Sequence, residues 1–162
     1  MYCTLTNVGT DGNGELADTD LLALDRQVCF ALAVASRTVI ALYRPLLEPM
    51  GLTHPQYLVM LALWGRSPLS VTELSGMLAL DPGTLSPLLK RLEAQGYLER
   101  RRVPGNERTL AVTLTGAGRG LCADAQRIPP AIIDRLRMSL GELQDLHGVL
   151  TRVIGAATSA PT

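Results

Sequence analysis

Three cysteines, two histidines and a cluster of arginines carry most of the chemistry open to this 162-residue chain. Cys3, Cys29 and Cys122 are too few for a disulfide framework, and none sits in a Cys-x-x-Cys pair. With His54 and His147 they also lack the spacing of zinc ligands, so neither a metal nor a cofactor is expected. What remains is thiol reactivity. A thiolate can attack the O–O bond of a peroxide and become a sulfenic acid, whereas a thiol packed into a core is inert. Cys29, in Val28-Cys29-Phe30-Ala31-Leu32, has apolar neighbours, so a reactive role requires hydrogen-bond donors that favour its thiolate.

The basic side chains gather in one segment. Residues 84 to 108 hold six cations (Lys90, Arg91, Arg100, Arg101, Arg102, Arg108) against three acids (Glu93, Glu99, Glu107), a local balance of +3 within a chain of zero net charge. Compensating acids lie largely elsewhere, including Asp11, Glu15, Asp18 and Asp20. Location matters more than the total for nucleic-acid binding, so a duplex DNA partner is expected, with modest, salt-sensitive non-specific affinity.

The elements around these cations read as a helix-turn-helix followed by a hairpin. Val71, Leu74, Met77 and Leu78 mark one face of a helix, opened by Ser70 with Glu73 three residues on, the capping-box pattern. Asp81-Pro82 stops it and opens a second helix, Gly83 to Gln95, which buries Leu85, Leu88, Leu89 and Leu92. That candidate recognition helix presents Thr84, Ser86, Pro87, Lys90 and Arg91, and Gly96 ends it. The period then changes to alternation: a strand from Tyr97 to Arg102, a tip at residues 103–107, and a return from Arg108 to Leu114. Arginines flanking such a wing, Arg102 and Arg108 with Asn106 beside them, suit the negative potential of a narrow minor groove. A solvated charged hairpin on an unrelated domain is the alternative.

The fold expected is mainly α with a small β-hairpin wing, a winged helix-turn-helix. Residues 1–19 read as a tail, 20–155 as one domain and 156–162 as a second tail. Within the domain, 53–115 is the DNA-reading unit, with a helix from Thr53 to Trp64 that has Pro55 in its first turn. A long helix from Leu21 to Leu47 is apolar on more than one side. Gly116 to Ile128 is expected to be helical, broken at Pro129-Pro130, and Ser139 to Ile154 forms a last amphipathic helix before a fraying end. Apolar helices at about 21–50 and 116–155 point to packing against a second copy, and a two-fold dimer matches a pseudo-palindromic site. A 47% hydrophobic content with one Phe and one Trp predicts an aliphatic core. No apolar run is expected to reach membrane-spanning length and the start lacks a signal-peptide pattern, so a cytoplasmic location is expected.

Three blocks resemble a known family: Leu24-Asp25-Arg26-Gln27-Val28-Cys29-Phe30, Leu42-Tyr43-Arg44-Pro45-Leu46-Leu47, and Gly51-Leu52-Thr53-His54-Pro55-Gln56-Tyr57. They are similar to the MarR family, and within it to the organic-hydroperoxide-sensing OhrR group. The stretch Asp81 to Glu93 continues the likeness, which is close over residues 24–115 and looser over 116–155. The resemblance implies a homodimeric winged-helix repressor released from its operator when Cys29 is oxidised by an organic hydroperoxide. It implies that Tyr43 hydrogen-bonds the sulfur, that Tyr57 and position 54 belong to the same site, and that Arg108 enters the minor groove.

Two departures stand out. Asn106 occupies a position that is usually Asp, so an orienting salt bridge to Arg108 becomes a neutral hydrogen bond at best. His54 occupies a position that is usually Tyr: it either donates to the thiolate, more strongly if protonated, or is simply a helix-start residue. Helical rise adds a constraint, because Cys29 and Tyr43, 14 residues apart on one helix, lie roughly 21 Å apart along its axis. A Tyr43 that serves the thiol must therefore come from a partner subunit. Cys122 is a candidate resolving thiol, Cys3 a weaker one, and a small-molecule thiol a third option. Two other functions compete: a MarR-type regulator released by a small aromatic ligand, and a thiol peroxidase, against which stand the DNA-reading unit and the absence of a peroxidase-type motif.

Overall fold

The computed structural model describes residues 23–103 and 106–159. The expected front tail, Cys3 and the last three residues lie outside them. The chain divides into two compact units, Met1–Val39 and Ile40–Thr162.

In the first unit a 3-10 turn, Leu24–Arg26, precedes helix α1, Val28–Leu47, which continues into the second unit. One continuous helix from Leu21 is therefore not observed: Gln27 takes extended backbone (φ −75°, ψ 118°) and α1 starts after it. Val28, Phe30, Leu32 and Val34 are all exposed. The expectation that no apolar run reaches membrane-spanning length also needs correction, because the 23-residue stretch Val28–Met50 passes that test by length and composition. Composition of this kind is weak evidence of a span, and exposed apolar side chains of a helix equally suit burial against protein.

The second unit is built from α2 (His54–Gly65), α3 (Val71–Leu78), α4 (Pro82–Ala94), α5 (Gly116–Ala125), α6 (Ile128–Leu136) and α7 (Leu140–Ser159), with strands β1 (Leu69–Ser70), β2 (Leu98–Val103) and β3 (Asn106–Leu114). Local chemistry sets the helix starts. Thr53 and Gln56 form a capping box on α2, Ser70 and Glu73 one on α3, and the Asp81 carboxylate accepts from Thr84 N–H ahead of α4. Gly96, at φ +78°, ends α4 as the Tyr97 N–H returns to the Leu92 carbonyl. The three strands form an antiparallel sheet in the order β1-β3-β2. β1 escapes a sequence reading because it is two residues long. β2 and β3 pair as far as Val103 with Asn106, so the strands run further toward the tip than expected.

The core is aliphatic, as the composition predicts: Leu47, Val59, Met60, Leu63, Leu69, Leu74, Leu85, Leu89, Leu92, Leu98 and Val112 are almost fully buried. Leu88 is only half-buried. Gly118 is forced by packing, since a Cβ there would lie 1.9 Å from the Tyr97 carbonyl oxygen. Beyond α5 two expectations fail. Pro129-Pro130 do not break a helix; they sit in the first turn of α6, where missing N–H groups cost nothing. The last helix also continues past Gly155 to Ser159.

Candidate DNA-reading and redox sites

Helix α4 exposes Thr84, Pro87, Lys90 and Arg91, and half-buries Ser86. Asp81 ties down Thr84, whose hydroxyl donates to the carboxylate at 2.6 Å while its backbone N–H donates at 2.9 Å. These bonds hold the Asp81 carboxyl below its ordinary pKa. At the far end of α4, Glu93 receives three donors from one residue of β2: Arg100 backbone N–H at 3.1 Å, Nε at 2.9 Å and Nη2 at 2.5 Å. Arg100 holds the Glu93 carboxyl below the usual range, chiefly through the side-chain hydrogen bonds. Arg101 pairs with Glu99 at 2.9 Å. Among the described residues Arg100 and Arg101 are thus engaged with the segment's own acids, which sequence counting could not reveal. Lys90, Arg91, Arg101 and Arg102 are all exposed. The side chains of Asn106 and Arg108 lie outside the described ones; β3 carries both positions.

The expected redox residues fall into three places. Cys29 is a free, exposed cysteine of the first unit. Tyr43, His54 and Tyr57 come together in the second. The Tyr43 and His54 rings meet edge-on, 4.9 Å between centroids, and Tyr43 lies 6.1 Å from Tyr57. Burial raises the Tyr43 phenol pKa; burial, then Tyr43, raises that of Tyr57. Burial lowers the His54 pKa below its ordinary 6.5, which favours the neutral imidazole. Nor is His54 a bare surface residue, being half-buried against Tyr43.

Cys122, the third place, is half-buried beside a cavity of about 350 Å³ that Trp64, Ser67, Thr113 and Arg119 also line. Trp64 is a member of the aromatic series that sequence reasoning passed over: its ring lies 6.3 Å from Tyr57 and its Nε1–H donates to the Gly118 carbonyl at 2.9 Å. Spacing gives no hint of that bond. Gln56 was also missed as a link. It is the buried polar side chain among the described residues, and its amide donates to Gln95 at 3.1 Å. Among the described residues no group of three or more His, Cys, Asp or Glu side chains could hold a metal.

A capped, cation-bearing helix joined to a three-stranded wing defines a winged-helix DNA-binding protein. The MarR family model matches residues 52–110. The chain is 39% identical, over 81% of its length and 89% of the relative's, to the organic hydroperoxide resistance transcriptional regulator of Bacillus subtilis. It therefore belongs to the MarR family and is a transcriptional regulator, not an enzyme. Among solved structures, reduced AbfR bound to DNA matches with a TM-score of 0.71 at 29% identity, covering 87% of this chain and 99% of that one. The disulfide-formed state of AbfR, a Staphylococcus epidermidis protein, matches with a TM-score of 0.59 at 30% identity, covering 86% and 93%.

Proposed function

We propose that this regulator is a homodimeric repressor of the cytoplasm that senses organic hydroperoxides through Cys29 and then releases a pseudo-palindromic operator. The observation that carries the reading is the exposure of the thiol among exposed apolar side chains, Val28, Phe30 and Leu32. Such a surface favours alkyl over hydrophilic peroxides. The likeness to a regulator named for organic hydroperoxide resistance supports it. So does the likeness to AbfR, solved both reduced on DNA and with a disulfide formed.

In the proposed chemistry the Cys29 thiolate attacks the distal peroxide oxygen and the O–O bond breaks. The alcohol leaves after taking a proton, and the sulfur is left as sulfenic acid. Tyr43 of a partner subunit, with His54 and Tyr57 behind it, supplies a hydrogen bond to the thiolate. Helices at about 21–50 and 116–155 form the dimer interface, and residues 53–115 read DNA within a domain spanning 20–155. Thr84, Ser86, Pro87, Lys90 and Arg91 face the major groove, while Arg102, Asn106 and Arg108 serve the minor groove. Cys122 is the candidate resolving thiol.

The test is binding to the region upstream of the protein's own gene, reduced and after treatment with an organic hydroperoxide. Wild type is expected to dissociate and Cys29→Ser to stay bound. If both stay bound while a small aromatic compound releases them, the signal is a ligand and not thiol oxidation. Arg108→Ala is expected to weaken operator binding several-fold in either case.

A further inference from the structure

The Glu93 carboxylate sits between the two elements that read DNA. It belongs to the last turn of α4, and all three of its donors come from Arg100, the third residue of β2. Arg100 in turn pairs with Val112 of β3, whose side chain is fully buried, so the strand that carries position 108 is registered on the same residue. The Arg100 side chain is only 21% exposed. Two guanidinium donors, Nε and Nη2, share the Glu93 Oε2 while the backbone N–H takes Oε1, so both carboxylate oxygens are held and distance and direction are fixed, unlike in an exposed single-contact pair. By contrast, Arg101 makes its bond to Glu99 within its own strand and ties β2 to nothing else.

We infer that Glu93 is a positioning residue for DNA binding: its carboxylate clamps Arg100 so that the recognition helix and the wing meet the duplex at a fixed angle. The inference rests on the DNA-reading role of α4 and the wing, and is independent of the hydroperoxide signal. It makes a prediction of unusual sign. Removing a negative charge from a DNA-facing segment should strengthen binding by simple electrostatics, and would also free Arg100 for a phosphate. A clamp requires the reverse.

The experiment compares wild type, Glu93→Gln, Arg100→Gln and the double variant on a duplex of the protein's own upstream region and on a random duplex of equal length. Glu93→Gln is expected to weaken binding to the upstream duplex about threefold to tenfold. The slope of log affinity against log salt should flatten by about two per dimer, one for each displaced wing. Hydroxyl-radical protection should fade where the wings lie and persist at the centre. The double variant should be no worse than the poorer single one, because both remove one contact. Amide hydrogen exchange of the free protein should quicken in β2 and β3 while α2 and α3 are unchanged, a readout that needs no DNA. Tighter binding by Glu93→Gln, an unchanged footprint with unchanged exchange, or additive single effects would overturn the clamp. If wild type binds neither duplex, the DNA-reading assignment is what fails, and the exchange result still decides whether Glu93 holds the wing.

Discussion

The Tyr43 and His54 rings pack edge to face at 4.9 Å, one from the end of α1 and the other from the first position of α2. The contact explains how an imidazole can stand where the OhrR group usually has a phenol. Edge-on packing needs only a planar ring of suitable size, and burial lowers the His54 pKa, which favours its neutral form.

The first prediction concerns pH. The His54 pKa is lower in the folded chain than its ordinary value of 6.5. Between these two values the unfolded chain binds more protons than the folded one, so stability rises with pH across that window. The contribution is fully present above about pH 6.5 and is lost as pH falls toward the folded value. Thermal unfolding at pH 7.5 and 5.5 should show a smaller acid-induced drop for His54→Tyr than for wild type. An equal drop in both would remove His54 as the titrating group.

Tyr43→Phe keeps the ring that packs on His54 and deletes only the hydroxyl. If that hydroxyl donates to the thiolate of a partner subunit, oxidation by an organic hydroperoxide should slow several-fold, with the unfolding midpoint unchanged. Stopped-flow loss of the free Cys29 thiol reads the rate directly. An unaltered rate would assign the phenol to packing alone.

Two glycines of α5 should respond with opposite sign. A Cβ at Gly118 would meet the Tyr97 carbonyl oxygen at 1.9 Å, and that oxygen accepts the Thr115 N–H at 3.1 Å. Gly118→Ala must push the wing base from the helix and is expected to cost about 1–3 kcal/mol. Gly120 has nothing within 4 Å of its missing Cβ, so Gly120→Ala should stabilise, by roughly 0.5–1 kcal/mol. Urea unfolding of the pair separates close packing from helix propensity. Equal effects would show that backbone entropy alone governs both sites.

What could be read in the sequence was what is encoded locally. Ser70 with Glu73 and Asp81 with Pro82 set their helix starts within four residues, and the structure has both. Pro129-Pro130 misled because a proline pair has the same composition whether it ends one helix or opens the next. The Glu93–Arg100 and Tyr43–His54 contacts were hidden for a different reason. Each joins two elements, so its existence depends on how they pack and not on their spacing. The family motif pointed to Tyr43, His54 and Tyr57 as a group, but not to Trp64, whose indole bond to Gly118 spans 54 residues.

The last prediction concerns an exposed residue whose loss should hurt because its partner is buried. The Gln56 side chain is 3% exposed. Its oxygen accepts from the Thr53 N–H at 2.9 Å and the Thr53 hydroxyl at 3.0 Å, and its Nε2 donates to Gln95 Oε1 at 3.1 Å. Gln95, itself exposed, donates onward to the Gly51 carbonyl at 2.7 Å. Gln95→Ala therefore strands a buried amide N–H, which costs about 1–3 kcal/mol, where an ordinary surface change costs about half a kcal/mol or less. Gln56→Met removes the stranded donor, so the double variant should lose less than the two single losses added together. Urea unfolding of the three variants checks this. Strict additivity would mean that the two amides act separately. A coupled result would identify the bridge as the tie between the start of α2, which bears His54, and the end of the recognition helix.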